Sequence, residues 1–188
     1  AAQGYRSCGA ADGYAYRLGN VLAGNDPGAA VLECTLRGAA LRFETDTVFA
    51  LTGAESPAAL DSTPVPYYAP LLAKAGSVLQ MGAAKTGLRS YLAVGGGIAT
   101  PPVLGSRSTD LKCRIGGLAG RKLAKNDFLP TGPCDIRELW EKITARNLNR
   151  PIHDGLVCHG THPVRAEGAK KLPLLRAVAG PQQAAFTD

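Results

Sequence analysis

Side chains that donate hydrogen bonds to anions are concentrated in one glycine-rich part of this sequence. Hydroxyl, guanidinium and glycine residues follow one another there: Ser106, Arg107, Ser108, Thr109, Gly116, Gly117, Gly120 and Arg121. Hydroxyl and guanidinium groups donate hydrogen bonds to oxyanions, and glycine lets a backbone N–H approach a ligand closely. The pattern therefore predicts that residues 106–121 bind a substrate or another anion.

The same glycines allow a second interpretation, a β-turn without a ligand. Residues 116–122 read GGLAGRK, which lacks the GxxxxGK[ST] order of a phosphate loop and the strand-then-helix pattern around it. Glycine is also the ordinary residue wherever a turn needs a positive φ. Arg107 and Arg121 on either side favour the anion site, and both interpretations stay open.

The remaining reactive residues form no recognised catalytic pattern. The sequence has no GxSxG motif and no Cys/His nucleophile pair with an orienting acid, so we assign no catalytic residue. Asp12, Glu33 and Glu55 are isolated carboxylates. Glu33 lies in an apolar segment, and we interpret it as facing solvent rather than as a buried carboxylate that needs donors.

Four potential metal ligands, His153, Cys158, His159 and His162, lie in the last quarter of the sequence. Structural zinc sites usually take closely spaced ligand pairs from two separate places, and this spacing does not fit that pattern. An exposed polar loop is the alternative. We therefore predict no metal in this chain, and the role of these four residues is left unassigned.

The positive charge is unevenly distributed. The net charge is +6, but basic and acidic residues balance within residues 1–100, so the whole excess lies beyond residue 100. This distribution fits a small anionic ligand, an acidic partner or a solvated basic face. Aromatic residues make up only 6% and no nucleic-acid-binding motif is visible, so nucleic acid is not an expected partner.

Cysteine usage and hydropathy indicate the compartment. The 5 cysteines are odd in number and irregularly spaced, which is not typical of a disulfide framework. We see no signal peptide and no membrane-length apolar run, so we expect a cytoplasmic protein without membrane contact. The sequence opens without Met, which suggests the interior of a longer protein.

Most of the elements that must position residues 106–121 are strands. Short alternating or β-rich runs at residues 31–37, 40–44, 47–52, 77–81 and 88–94 predict strands, and the first three are expected to be neighbours. Residues 61–70 hold several prolines and should be extended or looped. A final strand is predicted at residues 174–178. Turns recur between these strands, which favours an antiparallel sandwich or barrel.

Two short helices complete the prediction. Residues 12–24 form the first, with Asp12 as its N-cap and an apolar face of Tyr14, Leu18, Val21 and Leu22. Residues 135–147 form the second, with Asp135 as N-cap and an apolar face of Ile136, Leu139, Trp140 and Ile143. No helices alternate with the strands, which argues against a Rossmann-type sheet.

These segments together resemble a known family. The sequence is similar to the allophanate hydrolase subunit 2, or biotin-dependent carboxyltransferase, family in CGAAD at residues 8–12, in GLRSYLAVGGGIATPPVLGSRST at 87–109, in the GGxxGR of 116–121 and in GPQ at 180–182. It departs from the family pattern P-x-S-G-A-M-D, because Arg6, Cys8 and Ala11 replace Pro, Ser and Met.

The resemblance implies a fold. It implies a mainly β protein, a cyclophilin-like antiparallel β-barrel with two short helices, over residues 1–188. It also implies that the chain is the N-terminal portion of a longer family member, with residues 130–171 as an atypical helical and loop excursion.

The resemblance also implies a function. The implied function is that of one subunit of an ATP-dependent 5-oxoprolinase-type complex, which hydrolyses 5-oxoproline to glutamate. One alternative is a carboxyltransferase component that moves a carboxyl group from carboxybiotin to urea or a similar amide. Another is a non-catalytic regulatory binding protein. The implied partners are a subunit 1 homologue and a small amide or lactam, with ATP or biotin at the level of the complex, while the fragment alone is expected to be inactive.

Overall fold

The computed structural model describes residues 8–145 of the chain. These residues fall within the first of two units into which the chain divides, Ala1–His153, and the second unit, Asp154–Asp188, lies outside the described residues. The predicted strand at residues 174–178 and most of the predicted 130–171 excursion are also outside. So are His153, Cys158, His159 and His162, whose role stays unassigned.

The first sheet carries the most buried strands of the described part. Its order is β1, β8, β3, β6, and all neighbours are antiparallel. The bounds are β1 Leu32–Thr35, β3 Thr47–Gly53, β6 Pro70–Ala73 and β8 Arg89–Val94. Residues 47–52 of β3 are buried throughout, which explains why this strand reads as a continuous apolar run.

The second sheet has the order β2, β7, β4, β5, again antiparallel. Its strands are β2 Ala40–Arg42, β4 Ala58–Leu60, β5 Thr63–Pro64 and β7 Val78–Met81. β5 contains Pro64 and lies at the edge of the sheet, where the missing N–H of proline breaks no ladder. The strands β4 and β6 were not predicted, because their sequences AAL and PLLA contain no β-branched or aromatic residue.

Backbone hydrogen bonds join the two sheets along both of their sides. At one side Leu36 N donates to Leu88 O, just before β8 of the first sheet, and Gly38 N donates to Gly82 O, just after β7 of the second. At the other side Val65 N donates to Ala58 O of β4, and Tyr68 N donates to Leu51 O of β3. The strands therefore follow a cyclic order, as in an antiparallel barrel, and the mainly β prediction with two helices is confirmed.

The space between the sheets is filled by one apolar cluster. Phe43, which follows β2, packs against Phe49 of β3 with ring centroids 5.2 Å apart. Leu51 and Leu92 from the first sheet and Leu79 from the second are at most 1% exposed and belong to the same cluster. Burial of these side chains is the main favourable term that holds the sheets together.

The expectation that the three early strands are neighbours is wrong. β1 pairs with β8, β2 pairs with β7, and β3 pairs with β6 and β8. After β1 the chain turns at Leu36, which has a φ of 62°. This left-handed residue carries the chain into the other sheet, so consecutive strands separate instead of forming a hairpin.

The first helix, α1 Gly13–Leu22, begins as predicted. The Asp12 carboxylate accepts hydrogen bonds from the backbone N of Tyr14 and Ala15, and so caps the helix. The predicted apolar face is partly wrong, because Val21 is 56% exposed. The helix buries mostly small side chains instead: Ala15, Gly19, Asn20 and Leu22.

Small residues are required there because α1 lies directly on the first sheet. A Cβ at Gly19 would be 2.9 Å from Thr52 Oγ1 and 3.5 Å from the Ala93 side chain. The Thr52 hydroxyl also donates to Ala15 O at 2.7 Å. The helix therefore approaches β3 and β8 more closely than large apolar side chains would allow.

The second helix, α2 Ile136–Ala145, covers the end of the first. Asp135 caps it, since Oδ1 accepts a hydrogen bond from Glu138 N at 3.0 Å. Ile143 is buried, as the predicted apolar face requires. The Leu139 side chain lies over Gly24, where a Cβ would meet it at 2.2 Å. None of the helices within residues 8–145 is long and apolar enough to cross a membrane.

Candidate functional site

Residues 99–130 leave the sheets as one long excursion whose two ends are held together. An isolated bridge pairs Ile98 with Thr131, and Gly132 N donates to Gly97 O. Gly96 has a φ of 80°, and a Cβ there would lie 2.2 Å from Gly132 O. The consecutive glycines after β8 therefore let two chain segments meet at the base of the excursion.

Two tight loops within the excursion carry the predicted anion-binding residues. Val103 and Ser106 bridge the first loop, and Asp110 and Ile115 bridge the second. Residues 106–109 connect the two loops, and residues 116–121 follow the second. The expected site residues thus lie on one folded excursion.

Arg107 is the predicted site residue whose guanidinium is best placed for a ligand. Its Nε donates to Thr100 O at 2.9 Å, which fixes the side chain against the base of the excursion. No hydrogen bond or ion pair is found for its two Nη atoms within residues 8–145. The exposed end of a positioned guanidinium can donate two parallel hydrogen bonds to a carboxylate or phosphate.

Ser106 directly precedes Arg107 in the chain, and both residues are exposed. Ser106 Oγ accepts a hydrogen bond from Ser108 N at 3.1 Å, a local turn that uses the oxygen as acceptor. The hydroxyl hydrogen of Ser106 can still be donated. Ser106 and Arg107 together therefore provide donors of the kind that an oxyanion requires.

Ser108 and Thr109 pack on the turn formed by residues 116–120, which we call the glycine turn. A Cβ at Gly116 would lie 2.1 Å from Ser108 O, and one at Gly117 would lie 1.8 Å from Thr109 Oγ1. Both glycines have positive φ values, 71° and 53°. Gly120 is similarly covered, because its Cβ would lie 2.0 Å from Arg114 O. Ser108 and Thr109 therefore meet two of the glycines predicted with them, and the glycines there make room for protein atoms.

Arg121 is paired within the chain. Its Nη1 and Nη2 donate to the two carboxylate oxygens of Asp127, each at 2.7 Å, and Nη1 also donates to Lys122 O. These hydrogen bonds lower the pKa of Asp127 to about 2. An anion could use Arg121 only by sharing or replacing this pair, so Arg107 is the stronger candidate.

Asp110 connects the excursion to the N-terminal motif. It is only 8% exposed, and its Oδ1 accepts hydrogen bonds from Lys112 N and Cys113 N. The thiols of Cys8 and Cys113 also donate to this carboxylate, and the bond from Cys113 N contributes most to lowering its pKa. Two motifs about a hundred residues apart in sequence thus meet at one buried carboxylate.

Little in the sequence indicates that Asp110 is important. Its only local signal is an acidic residue just before the turn at residues 111–114, where a carboxylate often accepts hydrogen bonds from backbone N–H groups. Cys8, Cys34, Cys113 and Cys134 are free thiols, so the described cysteines form no disulfide. The contact between Cys8 and Asp110 does not follow from spacing, because the two residues are about a hundred positions apart.

A second polar network holds the N-terminal segment to the first sheet. Tyr91 OH accepts a hydrogen bond from Asp12 N at 2.7 Å and donates to Glu33 Oε2 at 2.8 Å. Glu33 also accepts from Ala11 N at 2.9 Å and pairs with Arg89 at 3.1 Å. Glu33 is therefore more than a solvent-facing carboxylate, since three groups hold it in place.

This network links the backbone of Asp12 to the Glu33 carboxylate through the Tyr91 hydroxyl, although the sequence shows the two acidic residues as isolated. Burial raises the pKa of Tyr91 to about 12, and its hydrogen bond to Glu33 adds to the shift. The hydroxyl therefore stays protonated at neutral pH and donates to the Glu33 carboxylate. Within residues 8–145 no group of three or more His, Cys, Asp or Glu side chains could hold a metal ion.

Comparison with known proteins gives consistent results. A family model described as "Carboxyltransferase domain, subdomain A and B" matches residues 3–188. The chain is 52% identical over 129 residues to the C subunit of 5-oxoprolinase from Escherichia coli K12, a match that covers 69% of the chain and 42% of that protein. It is 40% identical over 125 residues to urea amidolyase of Saccharomyces cerevisiae, which covers 65% of the chain and 7% of that protein.

Solved structures show the same relationship. The crystal structure of Kluyveromyces lactis urea amidolyase matches with a TM-score of 0.64 and 38% sequence identity, over 65% of this chain and 7% of that one. The matched part of the chain spans 42% of the length of the Escherichia coli protein and 7% of each urea amidolyase.

Proposed function

This chain belongs to the family of carboxyltransferase domains with subdomains A and B, and from that membership we propose that it is part of a 5-oxoprolinase-type enzyme complex. The observation that carries the proposal is the 52% identity to the C subunit of Escherichia coli 5-oxoprolinase. The proposed reaction is the ATP-dependent hydrolysis of the 5-oxoproline lactam to glutamate. The proposed partner is a subunit 1 homologue of the same system.

Residues of the excursion are proposed to stabilise negative charge in this reaction. ATP, when bound in the complex, activates the lactam, and the reaction passes through anionic phosphoryl or carboxylate groups. The Arg107 guanidinium, fixed through Nε, presents its Nη atoms to such an anion. Ser106 adds a hydroxyl donor. Donors held in place before the reaction stabilise developing charge without reorganisation, which is an effective form of catalysis.

The glycine turn does not fit a nucleoside triphosphate. A phosphate-binding loop needs free backbone N–H groups around an open concavity at the start of a helix. Here Ser108 O, Thr109 and Arg114 O occupy the space over Gly116, Gly117 and Gly120. We therefore place ATP elsewhere in the complex and keep residues 106–107 for the smaller anion.

A carboxyltransferase component of a urea carboxylase is the second candidate. The likeness to Kluyveromyces lactis urea amidolyase, with a TM-score of 0.64, favours it. Biotin would carry the carboxyl group, and urea or a similar amide would accept it. Arg107 would then bind the carboxylate in transfer, so both candidates use the same residue. The acceptor, and not the anion-binding group, distinguishes them.

Reconstitution of the complex tests both candidates. The full-length protein containing this chain is produced together with its subunit 1 homologue, and ATP-dependent loss of 5-oxoproline and of urea is measured in parallel. We expect turnover of 5-oxoproline. Turnover of urea alone, with a biotin carrier present, would select the second candidate. Turnover of neither would indicate a regulatory binding protein.

Substitution of Arg107 tests the proposed role. Arg107→Ala is expected to lower turnover by about a hundredfold, while Arg107→Lys recovers only part because an ammonium lacks the planar fork. Arg42→Ala is the matched control, since Arg42 forms a surface ion pair with Glu44 at 2.9 Å on the second sheet. Unchanged turnover in Arg107→Ala, with the control also unchanged, would contradict the role.

A further inference from the structure

We propose that a groove on the outward face of the second sheet binds a small monocarboxylate with an apolar tail. The groove has a volume of about 770 Å³ and is lined only by residues between 37 and 85. It is therefore separate from the excursion of residues 99–130. Its size falls within the range of pockets that hold small molecules.

The floor of the groove is a row of residues that crosses all four strands of the sheet. Ala40 lies opposite Gln80, Gln80 lies opposite Ala59, and Ala59 lies opposite Pro64. Three of these four residues have short or cyclic apolar side chains, which leave space above the sheet. Gln80, exposed in the centre of the row, provides the only amide of this floor.

One end of the groove carries the charged side chains. Arg37 bridges Ala83, and Lys85 N donates to Glu55 O, so these two backbone contacts bring Arg37, Lys85 and Glu55 to the same corner. Within residues 8–145 neither the Arg37 guanidinium nor the Lys85 ammonium has an ion-pair partner. Two cations and one carboxylate leave a single net positive charge, which matches a monoanion.

The other end is apolar. Val65 and Pro66, which follow β5, line it. Pro57 and the buried Met81 lie between this end and the charged corner, because Gly82 N donates to Pro57 O. The hydroxyls of Ser56 and Tyr67 are hydrogen-bonded to each other at 2.8 Å, so this wall does not require a polar ligand group. A ligand with a carboxylate at Arg37 and Lys85 and a hydrocarbon tail toward Val65 would satisfy both ends.

Titration of the protein with octanoate tests this site. Binding is followed by backbone NMR shifts and by calorimetry, with octylammonium and octanol as probes of the same length. We expect octanoate to bind more tightly than either probe and to shift the signals of Ala59 and Gln80. In the double variant R37Q/K85Q the affinity for octanoate should fall about tenfold, while the affinity for octanol should stay the same.

Lys74→Gln is the matched control, because Lys74 pairs with Asp46 at 2.8 Å and does not line the groove. Equal affinity for octanoate and octylammonium would overturn the proposal. So would an unchanged affinity for octanoate in R37Q/K85Q, or octanoate-induced shifts confined to residues 99–130. None of these outcomes depends on the reaction of the complex, so the proposed function can fail or succeed independently.

Discussion

The Tyr91 hydroxyl accepts a hydrogen bond from Asp12 N at 2.7 Å, although the two residues are 79 positions apart. Tyr91 lies in the middle of the first sheet, and Asp12 is the N-cap of α1. The same hydroxyl donates to Glu33. One side chain therefore fixes the start of the helix against the sheet and holds the N-terminal motif near the excursion.

Removal of this hydroxyl should destabilise the protein. Tyr91→Phe leaves Asp12 N and the Glu33 carboxylate without this partner, so we expect the free energy of unfolding to fall by about 1–3 kcal/mol. Urea denaturation measures the change. Tyr16→Phe, in α1, is the control and should change the free energy by less than about 0.5 kcal/mol. Equal effects of the two variants would show that the Tyr91 hydroxyl has no special role.

Ionisation of Tyr91 should depend on Glu33. The pKa of Tyr91 is raised to about 12, chiefly by burial and further by the hydrogen bond and charge of Glu33. Because the folded-state pKa exceeds the ordinary value, this contribution to stability is complete below about pH 10 and is lost as pH rises through about 12. NMR titration of the labelled Tyr91 ring measures the midpoint. Glu33→Gln should lower it, and a midpoint that does not move would contradict the contact.

Titration of Asp127 tests the pair with Arg121. The Arg121 side chain lowers the pKa of Asp127 to about 2, with help from the hydrogen bond of Ala124 N. The stabilisation is therefore present above the ordinary carboxyl pKa and is lost as pH falls through about 2. Carboxyl NMR should show that Arg121→Gln raises the midpoint of Asp127. Asp46, whose pKa is lowered by Lys74, is an internal control that should not respond.

The glycine turn can be tested with two matched alanine substitutions. Gly117 and Gly105 both have positive φ values, 53° and 76°, but only Gly117 has a neighbour, Thr109, where a Cβ would be. Gly105→Ala should cost about 1 kcal/mol through backbone strain alone. Gly117→Ala should cost about 1–3 kcal/mol more, because Thr109 must move.

Thermal unfolding of both variants in the same buffer measures this difference. If Gly105→Ala and Gly117→Ala were equally destabilised, the close packing of Thr109 on the turn would be wrong. The residues 106–121 would then be open enough for the larger anion cradle considered from the sequence. The outcome therefore decides between the two interpretations of these glycines.

Local patterns in the sequence were sufficient for most elements of the described fold. Alternating or β-rich runs predicted β1, β2, β3, β7 and β8, because β-branched and aromatic residues favour strands even where both faces are buried, as in β3. Asp12 and Asp135 predicted where the helices begin, because a cap is a contact between near neighbours. The strands β4 and β6 were missed, since neither contains a β-branched or aromatic residue.

Pairing and partners were decided by the tertiary structure. The sequence determined that Ser106, Arg107 and the glycines could hold an anion, because that depends on residue type. It did not determine that Arg121 is engaged by Asp127, that Thr109 covers Gly117, or that Cys8 reaches Asp110. The first two contacts depend on how the excursion of residues 99–130 folds on itself. The third joins residues about a hundred positions apart, which only the tertiary structure brings together.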